Sequence, residues 1–230
     1  MKQLCFTLAL LSVSFLGATA QTKISIEAGI MSSGYTGKSA GKMIYTADKW
    51  GGRFGLGFDS KINKRIYIQT GLLYIMNGYL QNTTKGDLNW SVNTLQIPMN
   101  VVYKTDRLGG DRIFVSAGPY FAINLSGTKK YSPFDSTSFT QTLNAGNDAR
   151  DDIKYFDLGL GANVGYEFKN GFFARIHYQF GLANLNQIGD ENNKLKNKNQ
   201  GIAIGYLLGS NKAKRMERKY KAVRRSGLEM

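Results

Sequence analysis

Residues 153–182 read IKYFDLGLGANVGYEFKNGFFARIHYQFGL, and this stretch decides the fold. Every second residue from Phe156 to Phe168 is apolar, and the alternation resumes from Phe172 to Leu182. A period of two predicts strands rather than a helix. Between the two strands, Lys169-Asn170-Gly171 predicts a tight turn, because Asn and Gly tolerate positive φ. The other face of this hairpin carries small, polar and charged residues, among them Asp157, Asn163, Glu167, Arg175 and His177.

Two architectures would place this hairpin differently. A water-soluble sandwich would turn the apolar face inward and pack it tightly. A membrane barrel turns the apolar face to lipid and the polar face to the lumen. Each tilted strand then needs about 9–11 residues to cross the bilayer, and both strands are long enough. We therefore predict a transmembrane barrel, with the soluble sandwich as the alternative.

The same alternation recurs along the chain in eight segments, at about residues 23–31, 50–61, 65–79, 90–104, 112–123, 153–168, 172–182 and 200–208. The connections between them alternate long and short, as in outer-membrane barrels with short periplasmic turns and long extracellular loops. The sequence therefore predicts an all-β, eight-stranded antiparallel up-and-down transmembrane β-barrel. A hairpin hidden in the longest loop, residues 124–152, would make ten strands. Pro98 cannot donate to a ladder, so we predict a bulge there.

The N-terminal segment has the pattern of a secretory signal peptide. Lys2 precedes an apolar run, and Ala18-Thr19-Ala20 follows as a cleavage site, so we expect cleavage after Ala20. The single cysteine, Cys5, falls within this segment, so the mature chain is expected to have no disulfide. No later segment offers about 18 unbroken apolar residues, so no transmembrane helix is expected. The predicted division is a signal peptide at 1–20, a barrel domain at 21–209 and a basic periplasmic tail at 210–230.

The formal net charge is +14, a balance that often indicates nucleic-acid binding. The predicted export argues against nucleic acid, and much of the excess lies in the tail. Its cations are Lys212, Lys214, Arg215, Arg218, Lys219, Lys221, Arg224 and Arg225. Apolar residues recur among them at helical spacing. The tail is interpreted as a segment that docks on anionic lipid or an envelope protein, and a solvated tail without structure is the alternative.

Several strand motifs point to a known family. They are GGRFGLGF at 51–58, IQTGLLY at 68–74, LQIP at 95–98, FDLG at 156–159 and YQFGL at 178–182, with Tyr206 in the closing strand. Together they resemble the PorT-type outer-membrane β-barrel family of Bacteroidetes. The resemblance implies an integral outer-membrane protein. The founding member of that family takes part in protein secretion, and most members have no assigned role. Many outer-membrane barrels finish on an aromatic residue, whereas this chain continues past Tyr206 and Leu208.

The inward positions are predicted to hold a charge network. Its members are Glu27, Arg53, Asp157, Glu167, Arg175 and His177. An eight-stranded barrel is only wide enough for side chains to fill it, and an unpaired buried charge is costly. We therefore interpret the network as a plug of ion pairs. The alternative is a narrow, gated pore.

Enzyme chemistry finds little support in the sequence. His177 is the single histidine, which cannot assemble a multi-histidine zinc site, and no nucleophile elbow is present. No catalytic, cofactor-binding or metal-binding residue is predicted. The expected function is a non-enzymatic structural or interaction role in the cell outer membrane. Its partners would be membrane lipid and an envelope protein, not nucleic acid. The alternative is a small pore or a component associated with protein secretion.

Overall fold

The structure, a computed structural model, describes residues 22–148, 150–187 and 189–208. It consists of strands joined by turns and loops. In chain order the strands are β1 Lys23–Ser39, β2 Lys42–Tyr45, β3 Ala47–Lys61, β4 Ile66–Thr83, β5 Gly86–Lys104, β6 Arg112–Pro133, β7 Phe139–Leu143, β8 Ala145–Gly146, β9 Ile153–Lys154, β10 Phe156–Glu167, β11 Phe172–Gly181 and β12 Lys194–Leu207. Within these ranges, no helix has the length and apolar character needed to cross a membrane.

Eight of the strands form a closed ring. Each pairs antiparallel with its neighbours in the order β1, β3, β4, β5, β6, β10, β11 and β12, and β12 returns to pair with β1. The predicted eight-stranded up-and-down barrel is therefore confirmed. The alternative of ten strands is wrong, because β7 pairs only with the outer part of β6 and does not enter the ring.

The strand register separates an outer from an inner face. Glu27 lies opposite Gly55 on β3 and Gly205 on β12, so these positions share the inner face. On the outer face Ile176 and Ile204 are 64% and 65% exposed. Similar apolar side chains surround the whole ring, which water would not tolerate but lipid does. This belt excludes a soluble sandwich and confirms the transmembrane barrel.

One end of the barrel carries the short turns. These are residues 62–65, 105–111 and 168–171, after the second, fourth and sixth ring strands as predicted. Gly171 has a φ of 100°, and its N–H donates to the carbonyl of Phe168 at 3.0 Å. Short turns lie on the periplasmic side of such barrels, so the opposite end is extracellular.

The predicted long loops at the extracellular end are partly wrong. Residues 80–89 were expected to form a loop, but β4 and β5 continue as a hairpin to Thr83 and Gly86, with a turn of Thr84 and Lys85 between them. Strand β6 likewise continues to Pro133, and β12 begins at Lys194. These extensions leave the lipid, so both faces are polar and the apolar alternation that marks a membrane strand is lost. Backbone pairing continues without it.

The predicted bulge at Pro98 is also wrong. Strand β5 keeps one register with β4 on both sides of this residue, from Thr70 opposite Met99 to Leu73 opposite Gln96. The register shift lies instead between Asn93 and Thr94 in the pairing with β6. The ladder with β4 skips Pro98, which has no N–H to donate, without inserting a residue, and on the other side Pro98 pairs with Tyr120 of β6.

Candidate functional site

All six side chains predicted for the lumen are buried in the ring. Glu27, Arg53, Asp157, Glu167, Arg175 and His177 are each at most 7% exposed. They face inward because they occupy alternate positions to the lipid-facing residues on their strands. They do not form one group, however. Four of them belong to an ionic network, whereas Asp157 and His177 lie apart from it.

The middle of the lumen holds a carboxylate between two guanidinium groups. Arg53 Nη2 donates to Glu27 Oε1 at 2.8 Å. Arg175 Nη2 donates to the other oxygen, Glu27 Oε2, and Arg175 Nη1 donates to Gln69 Oε1 at 3.0 Å. Strands β1, β3, β4 and β11 are thereby tied together across the interior.

A second carboxylate, that of Glu167, contacts several cations near the periplasmic end of the lumen. Arg112 Nη2 lies 2.8 Å from both oxygens of Glu167. Lys104 Nζ donates to Glu167 Oε2 at 3.1 Å and to Asp59 Oδ2 at 2.6 Å. Arg107 Nη2 reaches Glu167 Oε1 at 3.0 Å from the adjoining turn. Such buried pairs need additional hydrogen bonds to offset desolvation, and these carboxylates have them.

Gln69 joins the two clusters into one network. Its amide nitrogen donates to Asp59 Oδ1 at 2.6 Å, while its oxygen accepts from Arg175. Hydrogen bonds therefore run without a break from Arg53 in mid-lumen to Arg112 at the periplasmic end.

Sequence reasoning missed five members of this network: Asp59, Gln69, Lys104, Arg107 and Arg112. Two of them lie at strand ends, where charges are usually assigned to turns. The alternation of the strand does predict an inward position for Lys104, because it is an even number of residues from the inward-facing Gln96 and Asn100.

Asp157 has neutral partners. Tyr120 Oη donates to Asp157 Oδ2 at 3.2 Å, and Asn197 Nδ2 lies 3.4 Å from the same oxygen. No ion pair to Asp157 is formed by the described part of the chain. It lies in the extracellular half of the lumen, because it is the second residue of β10 and Glu167, at the periplasmic end, is the last.

His177 and its neighbours form a band of neutral polar side chains between the ionic network and Asp157. Neither ring nitrogen of His177 meets a protein partner among the described residues. Gln179 and Asn199, paired across β11 and β12, also carry unpartnered buried atoms. Buried polar atoms are normally satisfied by protein or by ordered water, so this is the level at which the lumen is suited to hold water.

The extracellular end of the lumen is closed by an apolar cap. Leu143 at the end of β7, Ile153 in β9 and the loop residue Leu185 are 0–1% exposed and pack against inward-facing residues of the ring strands. Backbone bonds fix the cap, because Lys154 N donates to the carbonyl of Leu185 at 3.0 Å and Leu185 N donates to Leu195 O at 2.8 Å. The strand residues beneath it are Tyr35, Tyr79 and Val92.

The periplasmic end is closed as well. An apolar cluster surrounds the Glu167 group there, and it consists of Tyr67, Val102, Phe114, Phe173 and Leu207. Gly205 makes room for this cluster, since a Cβ on it would lie 2.3 Å from Phe173 Cζ. The cavity left between these side chains and the ionic groups measures about 10 Å³. This is about enough for one water molecule.

Two predicted features lie outside the described residues. They are the signal peptide with its cleavage site after Ala20, and the basic tail. The tail residues concerned are Lys212, Lys214, Arg215, Arg218, Lys219, Lys221, Arg224 and Arg225.

The lumen offers no arrangement that suggests catalysis. Across the described ranges, no three His, Cys, Asp or Glu side chains are grouped to hold a metal ion. His177 forms no hydrogen bond to a hydroxyl or carboxylate there, so no base is paired with a nucleophile.

Comparison with known proteins gives a family and several similar folds. Residues 13–187 match the family described as outer membrane protein beta-barrel domain, which covers more than half of the chain. Ail, the attachment invasion locus protein of Yersinia pestis, is 13% identical with a TM-score of 0.40, over 82% of this chain and 99% of Ail. Neisserial surface protein A is 9% identical with a TM-score of 0.44, over 81% and 98%. OprG from Pseudomonas aeruginosa is 13% identical with a TM-score of 0.46, over 81% and 95%. No curated protein matches the chain.

Proposed function

The chain belongs to the outer membrane protein β-barrel domain family, and from this premise we propose that it is a closed, non-enzymatic barrel that acts through its extracellular extension. It is an integral protein of the cell outer membrane. The observation that supports closure is that packed side chains fill both ends of the lumen.

An ion crossing this barrel would meet two barriers. From outside it would reach the cap of Leu143, Ile153 and Leu185, which offers no polar group to replace its hydration shell. From the periplasm it would reach Glu167 and its cations, where the cavity of about 10 Å³ has no room for a hydrated ion. Both barriers favour the ion-pair plug over the small pore.

Conductance measurements test closure. The full chain, inserted into planar bilayers, is expected to give no discrete steps above the lipid background. Arg53→Ala and Arg175→Ala are expected to stay silent, because the cap and the Glu167 cluster remain in place. Steps in the wild-type protein that change size in either variant would refute the proposal and support the pore.

The non-enzymatic role is supported by the partners of the titratable groups in the lumen, because Glu27 and Glu167 are held in ion pairs with arginines. Asp157 contacts Tyr120 and Asn197, and the single histidine has no nucleophile beside it. A screen of ester, amide and phosphoester substrates in detergent is expected to give no turnover above a heat-denatured control.

The extracellular extension is the part that supports an interaction role. Strands β4, β5 and β6 project beyond the lipid belt as a paired sheet, with β7 added along the edge of β6. Paired strands hold their outer side chains in fixed positions, so this sheet can present a preformed surface. Shortening the β4–β5 hairpin by removing residues 80–89 and joining the strands with Asn-Gly keeps the ring and should abolish binding to any partner of this surface.

A second candidate, a component associated with protein secretion, is favoured by the resemblance of the strand motifs to the PorT-type family. The motifs at 51–58, 68–74 and 95–98 lie on β3, β4 and β5, within the ring. Deletion of the gene would then reduce export of secreted proteins, and complementation by the full chain would restore it. Normal export in the deletion strain would exclude this candidate.

We also propose that the basic tail docks on anionic lipid or on an envelope protein in the periplasm. Support comes from its charge, with eight Lys and Arg between residues 212 and 225. A chain truncated after Ser210 should still fold but lose retention on anionic vesicles. Unchanged retention and unchanged co-purification of partners would exclude the docking role.

A further inference from the structure

The outer face of β12 changes character along its length. Towards the periplasm it carries Ile202 and Ile204, which are lipid-facing. Beyond Gln200 the same face carries Lys198, then Lys196 and Lys194. The face is the same because side chains two apart on a strand point to one side. Three lysines therefore stand in a row directly above the apolar belt.

A fourth lysine extends this row sideways. Lys38 of β1 lies directly opposite Lys194 in the antiparallel register. Opposed side chains on one face have Cβ atoms about 4.5–5.5 Å apart, and like charges in such pairs repel. Lys38, Lys194, Lys196 and Lys198 are named here the lysine ladder.

The lysine ladder is not paired with carboxylates in the described part of the protein. None of the four lysines forms an ion pair within 4.0 Å. Of the acidic residues in adjoining segments, Asp48 accepts from Ser32 Oγ at 2.8 Å and lies on the outer face beside Gly34, the residue opposite Lys198. Asp190 accepts from Asn192 N at 2.8 Å. Glu191 of the same loop pairs with none of the four. The single neighbouring carboxylate, that of Asp48, does not balance four lysines, so the remaining positive charge favours an external anion.

The height of the lysine ladder identifies which anion it faces. Lys198 pairs across β11 with Phe180, and Gln200 pairs with Tyr178. Aromatic residues at the edge of the apolar belt mark the level of lipid headgroups. Lys196 and Lys194 follow at about 7 and 13 Å along the strand, at 3.3 Å per residue. The lysine ladder thus begins at the headgroups of the outer leaflet and faces away from the barrel.

We propose that the lysine ladder binds the phosphate groups of an anionic lipid in the outer leaflet. Each ammonium is a compact point charge on a flexible stem, which suits phosphates whose spacing is not fixed. The stems lie along the upper edge of the belt while the charged ends reach the headgroups. This site does not depend on whether the lumen conducts.

Lipid retention by the full chain tests the site. The refolded protein is placed in neutral phosphatidylcholine nanodiscs that contain either diphosphorylated lipid A or lipid A stripped of its phosphates, and bound lipid is counted by native mass spectrometry. The wild-type protein should retain the phosphorylated form preferentially. Equal retention of the two forms would overturn the proposal, and this comparison needs no variant.

Two matched variants locate the site. Lys196→Gln with Lys198→Gln should weaken retention of phosphorylated lipid A about 25-fold, since each lysine near an anionic surface contributes about 5-fold. Lys64→Gln with Lys85→Gln removes the same charge from a periplasmic turn and from the tip of the β4–β5 hairpin, so it should change retention less than 2-fold. A control pair that loses as much as the ladder pair would overturn the proposal.

A soluble polyanion tests whether the lysine ladder binds an extracellular acidic polymer and not a lipid. Polyphosphate added to the detergent-solubilised protein is expected to bind weakly, and with the same affinity to the ladder pair and to the control pair. Strong binding of polyphosphate that the ladder pair abolishes, with lipid retention unchanged, would assign these lysines to an extracellular acidic polymer and overturn the lipid assignment.

Discussion

Replacing Glu27 by glutamine should destabilise the barrel strongly, because two buried arginines share this carboxylate. Arg53 and Arg175 form their ion pairs with Glu27 and, in the described chain, with no other acid. Removing one partner of a buried pair costs about 3–5 kcal/mol. The amide oxygen of glutamine can still accept one hydrogen bond, so we expect the lower end, about 3 kcal/mol. That loss lowers the folding equilibrium constant about 150-fold.

Asp157→Asn is the matched control, because it makes the same chemical change in the same lumen. Asp157 is as buried as Glu27, at 4% against 7% exposed. Its partners Tyr120 and Asn197 are neutral, so no cation is left unpaired. Removing an unpaired buried charge relieves desolvation, and we expect a change of less than about 1 kcal/mol or a gain in stability.

Urea unfolding of the refolded barrel in detergent measures both changes. Tryptophan fluorescence from Trp50 and Trp90 reports the transition, and heat-modifiable migration on gels confirms the folded fraction. An Asp157→Asn loss equal to that of Glu27→Gln would refute the argument from charge pairing. Adding Arg53→Gln to Glu27→Gln should recover part of the loss, since one of the two unpaired cations is then gone.

Two further predictions concern packing and pH. Gly205→Ala should lower the free energy of unfolding by about 3 kcal/mol, because the added Cβ would lie 2.3 Å from Phe173. Gly161→Ala, whose Cβ would lie 3.3 Å from its nearest neighbour, should lower it by less than about 1 kcal/mol. Urea midpoints that fall equally in the two variants would contradict this prediction. Hydrogen bonds from Arg65 hold the pKa of Asp106 below its ordinary 3.8, so this pair stabilises the fold above about pH 4 and stops doing so as the pH falls through the folded value. The midpoints of wild type and Asp106→Asn should therefore converge on acidification from pH 7 to pH 2, and a constant difference would exclude the effect.

The ring itself could be predicted from the sequence because lipid acts on every second residue. Inside the belt, a residue such as Ile176 must be apolar, whereas its inward-facing neighbour Arg175 can be polar or charged, and this difference repeats along the ring. The positions of Glu27 and Glu167, each alternating with lipid-facing residues on its strand, are therefore sufficient to predict that both face the lumen. Which cations they would meet depends on the stagger between strands, and that stagger has no signal within a single strand.

The extensions and the cap could not be predicted for a different reason. Above the headgroups water solvates both faces of β4 and β5, so the constraint that produces alternation ends while strand pairing does not. Leu143 and Leu185 look like isolated apolar residues in polar loops. They become a cap only because the ring below them ends in inward-facing Tyr35 and Tyr79, contacts that cross long distances in sequence.

Polarity is sorted along the axis of the lumen, and this sorting decides what the barrel can do. Charge is concentrated from Glu27 to Glu167, neutral polar groups follow at the level of Gln179 and Asn199, and apolar groups close the extracellular end. A selective pore needs favourable binding positions along its whole length, with exits on both sides. Here the ionic groups are already paired with each other and the exit is apolar, so the interior is suited to holding the ring together. We therefore propose that recognition of other molecules takes place on the outside, where the four lysines of the lysine ladder form no ion pair with the described residues.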